Sequence, residues 1–334
     1  MEKSAIIRIF AAKNLGDIYI IMRIKIQLPK GFLDAEMRCG YQVTAEMKKV
    51  WAVELDLLYE FQRVTNKHGI KYIANGGTML GAVRHKGFIP WDDDIDIMMM
   101  RDEYDKFCKI APNEFKHPYF FQTEYTEPGS LRCHAQLRNS ETTAIIKYEQ
   151  NCSCTFNQGI FIDIFPLDAV PDEESEWQRE SKKAQKLYER MFHLSNISSL
   201  YKANKSAPYY RLKQILHGIG KPIFGLIAHY YFLKYEKECK KYNHIQTKKI
   251  SLFCWGYKYK QLHRDRTDHL ETILMDFEFL KVPVCKNYDH ALTQVFGDWH
   301  EYVIGGSLHG ETFFDTEKSY TYYLKNPHMI NYKV

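Results

Sequence analysis

The chain has 334 residues, 45% of them hydrophobic and 15% aromatic, which is enough apolar side chain for a substantial core and excludes a disordered protein. Its net charge of +5 and pI near 8.6 are too mild for a dedicated nucleic-acid binder, and fit phosphorylated small molecules or an anionic membrane surface. The length suits one large domain or two smaller ones.

Residues 1–30 interleave apolar residues with Lys3, Arg8, Lys13, Asp17, Arg23 and Lys25, so no export signal is expected there, and Met22 is a second candidate start. In residues 46–67, Val50, Val53, Leu57, Leu58, Phe61 and Val64 recur at helical spacing, and Gly69 is positioned to stop that helix. "IKYIA" (70–74) reads as a short strand. "NGG" (75–77) is a turn, with Thr78 as the cap of a helix through "MLGAVRH".

Next comes "GFIPWDDDIDIMMM" (87–100), with Asp92, Asp93, Asp94 and Asp96 crowded before an apolar run. Alternation over 94–99 predicts a strand with Asp94, Asp96 and Met98 on one face and Ile95, Ile97 and Met99 on the other. A helix "RDEYDKFCKIA" follows. "GIFIDIFPLD" (159–168) reads as a second strand. There Asp163 shares a face with Phe161 and Phe165, a costly place for a carboxylate unless something pairs with it. Residues 172–190 form a charged helix, acidic first and basic last. Residues 201–249, rich in Lys, Tyr and Phe, read as helical in pieces. They form either an ordinary helical subdomain or a surface for peripheral membrane association. The apolar stretch "PIFGLIAHYYFL" (222–233) falls short of the ~20 residues a membrane span requires. None of the eight cysteines forms a CxxC pair. Cys152 and Cys154 make a lone CxC, and reduced thiols in a cytoplasmic protein are expected.

Three readings compete for the acidic stretch: a solvated turn, a calcium loop, and a magnesium site. The calcium loop would need glycine where Ile97 stands and a helix leading in where "GFIPW" stands. An Asp-x-Asp pair on a strand suits Mg²⁺, which takes one or two carboxylates plus substrate phosphates, and Asp163 is the obvious third acid. Gly76, Gly77 and Thr78 form a corner whose backbone N–H groups suit a phosphate. Arg84, Lys86 and Arg138 are candidates for further phosphate charge, with surface bases at a helix end as the plain alternative for the first two. Asp92 and Asp93 are expected to shape the loop or to stand just behind the metal ligands. Trp91, Tyr119 and Phe161 are candidate walls for a cationic headgroup, and His85 is expected to be structural.

The stretch "GGTMLGAVRHKGFIPWDDDIDIMM" followed by "GIFIDIFPLD" closely resembles the LicD family of phosphotransferases, whose members are similar to nucleotidyltransferase-fold proteins. "RNSETTA" (138–144) and "FEFLKVPVCKNYDHALTQVFGDW" (277–299) match further family segments, so the resemblance covers roughly 46–170 and 270–325. It departs at "EYVIGGSLHG", where His309 aligns only loosely, and over 1–45 and 190–250.

The resemblance implies an α/β (α+β) fold with a nucleotidyltransferase-like mixed sheet flanked by helices and an added helical region. The expected division is an unassigned extension 1–45, a catalytic core 46–170, a helical region 171–250 and the remainder of the family domain 251–334. It further implies Mg²⁺-dependent transfer of a phospho-alcohol, phosphocholine from CDP-choline foremost and ribitol phosphate from CDP-ribitol in relatives. The acceptor would be a cell-surface glycan or glycolipid. Asp94 and Asp96 would hold the metal, and Asp163 would either share it or take the proton from the acceptor hydroxyl. The alternatives are a nucleotidyltransferase that moves the nucleotide itself and a non-catalytic glycan- or membrane-binding relative.

Overall fold

The computed structural model describes residues 24–147, 149, 155–198, 210–305 and 311–332. Expectations about residues 1–23, Cys152, Cys154 and His309 lie outside them. The fold is mixed α and β, as expected.

After a small hairpin, β1 (Glu36–Arg38) and β2 (Tyr41–Val43), comes α1 (Ala45–His68). It is capped by the Thr44 hydroxyl and ended by Gly69 in a left-handed conformation, φ 62°. The predicted strand 70–74 shrinks to β3 (Ile73–Ala74). The next helix, α2, spans Gly76–His85 with Asn75 as its N-cap, so Thr78 lies inside its first turn instead of capping it. The predicted strand 94–99 starts two residues later, as β4 (Asp96–Met100), and leads directly into α3 (Arg101–Glu114). β5 (Tyr119–Gln122), β6 (Ala135–Asn139) and β7 (Thr143–Ile146) follow.

The organising element is β8 (Ile160–Val170), eleven residues long. It pairs in parallel with β4 over 163–167 and antiparallel with β6 over 160–164. At its far end, over 168–170, it pairs with β9 (Lys249–Ser251). β3 extends the sheet beyond β4, β5 beyond β6, and β10 (His263–Asp265) beyond β9. Because β4 and β8 lie inside the sheet, both faces are covered, and Ile97, Met98, Met99, Ile162 and Ile164 are all buried. α1 packs on β8 and β6, and α3 packs on β4 and β8.

α4 (Glu174–Ser198) and α5 (Tyr210–Cys239) pair as a long arm, and α5 is one continuous 30-residue helix where the sequence suggested several pieces. A hairpin of β11 (Thr272–Phe277) and β12 (Leu280–Cys285) packs on α2. It is followed by α6 (Tyr288–Phe296), then by β13 (Thr312–Asp315), which pairs with β7, and by α7 (Tyr320–Lys325).

Candidate active site

Asp96 opens β4, and its register partner on the adjacent parallel strand is Asp163. The start of α2 holds Asp96 by its backbone: its N–H donates to Thr78 Oγ1 at 2.8 Å, and its carbonyl accepts from Asn75 N–H at 2.9 Å. The Asp163 N–H donates to the Ile95 carbonyl at 2.9 Å, which fixes the two strands at this level.

The loop before β4 brings Asp92, Asp93 and Asp94 together, with carboxylate oxygens all within 4.8 Å of one another. The sequence reading left Asp92 and Asp93 to the loop, whereas the structure gathers them with Asp94. The loop is pinned from below. Trp51 Nε1 donates to the Asp92 carbonyl at 3.0 Å, and the Trp51 ring stacks on Phe88 at 4.5 Å. A Cβ on Gly77 would fall 2.3 Å from Asp92 Oδ2, so glycine there is what lets the Asp92 carboxylate lie over the beginning of α2. Gly76 has φ 49°, which favours glycine, and its missing Cβ would approach Asp96 Oδ2 to 3.3 Å.

Asp96 and Asp163 are pushed in opposite directions. Burial raises the Asp96 carboxyl, and the charges of Asp94, Asp163, Asp92 and Asp93 push it further, well above the carboxylate range. Burial also acts to raise Asp163, but His134, the Gln136 amide and Arg132 outweigh it and keep Asp163 below its usual value. Gln136 Nε2 donates to Asp163 Oδ1 at 2.6 Å, and His134 Nε2 lies 3.2 Å from the same oxygen.

Sequence reasoning missed a fifth acid near this cluster, Glu54 on α1. It is 1% exposed, and among the described residues its Oε2 has no hydrogen-bond partner. Burial first, then Asp94, Asp93, Asp92 and Asp96, hold its carboxyl well above the usual range. A signal existed in the sequence: at helical spacing Glu54 falls between Val50, Leu57, Leu58 and Phe61, inside the apolar stripe of α1. Gln136 and His134 carried no comparable signal.

The three candidate bases divide differently from expectation. Arg138 is fully buried on β6 and makes no direct approach to a phosphate site. Its Nε donates to Gln122 Oε1 and its Nη1 to the Gly159 carbonyl, both at 2.7 Å, and its Nη2 donates to Gln136 Oε1. It therefore reaches Asp163 only through the Gln136 side chain. Arg84 donates to the carbonyls of Trp299 (2.7 Å) and Glu301 (2.9 Å) and lies over the Tyr302 ring, which ties α2 to the C-terminal segment. Lys86 is the left-handed cap residue of α2, with an exposed side chain.

Two of the candidate headgroup walls are core residues. Tyr119 donates its hydroxyl to Asp56 at 2.6 Å, and Phe161 packs under the Arg138 guanidinium. Trp91 is half-buried against Tyr41 and His85. A cavity of about 520 Å³ lies between α3, α5 and the residues leading into β6. Tyr104, Tyr125, Phe232 and Tyr235 line it, and His134 is the wall it shares with Asp163.

A glycine-led helix start beside carboxylates on two adjacent strands has the chemistry of a site for a hard cation and a phosphate-bearing substrate. Residues 69–208 match the profile of the family described as "LicD/FKTN/FKRP, nucleotidyltransferase domain". The chain is 29% identical over 260 residues to the lipopolysaccharide cholinephosphotransferase LicD of Haemophilus influenzae, covering 73% of this chain and 88% of that protein. Shorter matches, 45% over 60 residues and 43% over 56, join it to uncharacterized proteins of Rickettsia typhi and Rickettsia prowazekii. These cover 18% and 17% of this chain, and 19% and 21% of theirs. Residues 69–208 thus resemble the domain of the LicD family, and most of the chain resembles a LicD protein.

Proposed function

We propose that the protein is a phosphotransferase that moves phosphocholine from a CDP-linked donor to a hydroxyl of a cell-surface glycan or glycolipid such as lipopolysaccharide, on the cytoplasmic side of the membrane. The likeness to a lipopolysaccharide cholinephosphotransferase over most of both chains supports the reaction class. The observation that carries the site is the register of Asp96 against Asp163 beside the cluster of Asp92, Asp93 and Asp94.

The residues fit a divalent cation. Among the described residues buried Glu54 keeps a carboxyl oxygen with no hydrogen-bond partner near the cluster, and Asp96 is destabilised by the like charges around it, so a cation bound there would relieve both. Asp94, Asp96 and Asp163 would hold Mg²⁺, with Asp92 and Asp93 beside them. Bound there, the ion would neutralise charge on the donor diphosphate.

In the transfer, the acceptor oxygen bonds to the phosphorus that carries choline, and the pyrophosphate bond to CMP breaks. The acceptor proton passes to Asp163, which Gln136 aims and His134 keeps ionised. The N–H groups at the start of α2 provide positive potential for the leaving phosphate. The cavity beside His134 offers aromatic faces from Tyr104 and Tyr125 and a carboxylate from Glu236 to the trimethylammonium group.

The test is incubation of CDP-choline and Mg²⁺ with purified lipopolysaccharide. The expected products are CMP and phosphocholine-bearing glycan, and Asp96→Asn should lose about a hundredfold or more of the rate. A nucleotide attached to the acceptor would establish nucleotidyl transfer instead. An intact donor, with CDP-ribitol and CDP-glycerol equally untouched, would overturn the reading.

A further inference from the structure

The C-terminal half of α5 is seated on the body through Ala228, Phe232, Tyr235 and Cys239, all buried. Among the described residues nothing covers its opposite side. Leu212, Ile215, Ile219, Ile223, Leu226 and Leu233 are all exposed, Ile219 at 69% and Leu226 at 73%. Steps of three and four residues place them on one side of the helix, in an apolar stripe of about six turns. Soluble surfaces scatter single hydrophobics and rarely align six on one helix.

Charge identifies what covers the stripe. The sequence 210–235 contains no Asp or Glu and four Lys or Arg residues. At the body end of the stripe, Tyr230 is exposed with the Lys234 ammonium over its ring, and the exposed Arg190 of α4 lies over Tyr231. Aromatic and basic side chains flanking an apolar face are the composition of a helix lying in a lipid headgroup layer. A second copy of the chain is disfavoured as the cover, because a two-fold contact would bring this acid-free stretch against itself. Among the described residues no helix is long and apolar enough to cross a membrane, so this one would lie along the surface.

We propose that the exposed face of α5 is a docking surface for a membrane rich in anionic lipid, with the apolar stripe in the acyl boundary and Lys234 and Arg190 at the headgroups. This stands on the arm alone and does not require the transferase reading. It also adds a position to that reading: Phe232 and Tyr235, on the seated side of the same helix, line the cavity next to Asp163. Docking would therefore hold that cavity close to the lipid surface.

The experiment is co-sedimentation of the full chain with vesicles of phosphatidylethanolamine and phosphatidylglycerol, against vesicles of phosphatidylcholine alone, without donor or metal. The chain should pellet with the anionic vesicles and bind the neutral ones at least tenfold more weakly. Ile219→Gln with Leu226→Gln should lose tenfold or more of that binding at unchanged circular dichroism. Should that variant not fold, Lys234→Glu with Arg190→Glu serves the same purpose and should reduce binding to anionic vesicles alone. Three results would overturn the proposal: a wild-type chain that stays in the supernatant with both vesicles, variants that pellet as well as wild type, or a dimer in sedimentation velocity that the glutamine variant dissociates without vesicle binding by either form. Failure of the choline-transfer assay leaves these outcomes untouched.

Discussion

Asp96 and Asp163 face each other in register on parallel neighbours, yet their surroundings drive them in opposite directions. Asp96 is buried among like charges, whereas Asp163 is supported by His134, Gln136 and Arg132. Conservative replacement should separate them. Without divalent cations, Asp96→Asn should raise the unfolding midpoint by roughly 2 °C, because it removes a carboxyl that the fold resists ionising. Asp163→Asn should lower it by a similar amount, since it strands His134. Thermal melts in chelator check both signs, and equal shifts in one direction would refute the asymmetry.

Glu54 should act with the cluster and not as an ordinary core acid. Glu54→Gln keeps the shape and removes a charge that burial and the Asp cluster disfavour. The variant should melt higher than wild type in chelator, and should gain less stability from added Mg²⁺ because it offers the cation one fewer carboxylate nearby. Identical Mg²⁺ titrations for the two proteins would show that Glu54 has no electrical link to the site.

Gln136 and Arg138 should fail differently although they touch. Gln136→Leu removes the amide that aims Asp163 and also the oxygen that accepts from Arg138, so it should cost activity about tenfold together with about 1–2 kcal/mol of stability. Arg138→Met leaves the Gln122 oxygen, the Gly159 carbonyl and the Gln136 oxygen without their buried donor, and should cost about 3 kcal/mol of stability. Rate measurements beside urea unfolding of each variant check the split. An Arg138→Met protein of normal stability would mean the guanidinium is dispensable to the core.

Two glycines of α2 should separate function from folding in the same way. In Gly77→Ala the new Cβ meets only the end of the Asp92 side chain, which can swing away, so the fold should survive while cation affinity drops. In Gly81→Ala it would fall 2.3 Å from the Gly87 carbonyl, a backbone atom that cannot yield cheaply. That variant should lose about 2 kcal/mol or more of stability. Calorimetric Mg²⁺ binding and chemical unfolding of both proteins distinguish the cases.

The parts of the site legible in the sequence were those written in local period. Alternation in "DIDIMM" and "GIFIDIF" marked two strands and put Asp96 and Asp163 on them, since side chains two apart in a strand share a face. That the strands are adjacent and in register is a long-range fact, and no window of sequence contains it. Arg138 misled for a related reason. A base in a motif reads as a ligand for phosphate until its strand is seen to lie inside the sheet, where its hydrogen-bonding edge is used by Gln122, Gly159 and Gln136. Thr78 was read as a cap because a hydroxyl after Gly-Gly suits one, whereas the helix had already begun at Gly76 and the hydroxyl was left to fasten Asp96. Glu54 was visible as an acid within an apolar stripe, but only its proximity to a loop some forty residues onward gives it meaning.

β8 carries Asp163 near its beginning and Asp168 near its end. Asp168 is clamped by Arg101 from α3 through bonds of 2.8 and 2.6 Å, and by Asn243 just after α5 at 2.7 Å. One unbroken strand thus joins Asp163 to the footing of the arm. The two cannot hinge against each other without tearing the sheet. The arm and Asp163 therefore travel as one piece, so that where the arm rests decides where Asp163 is presented.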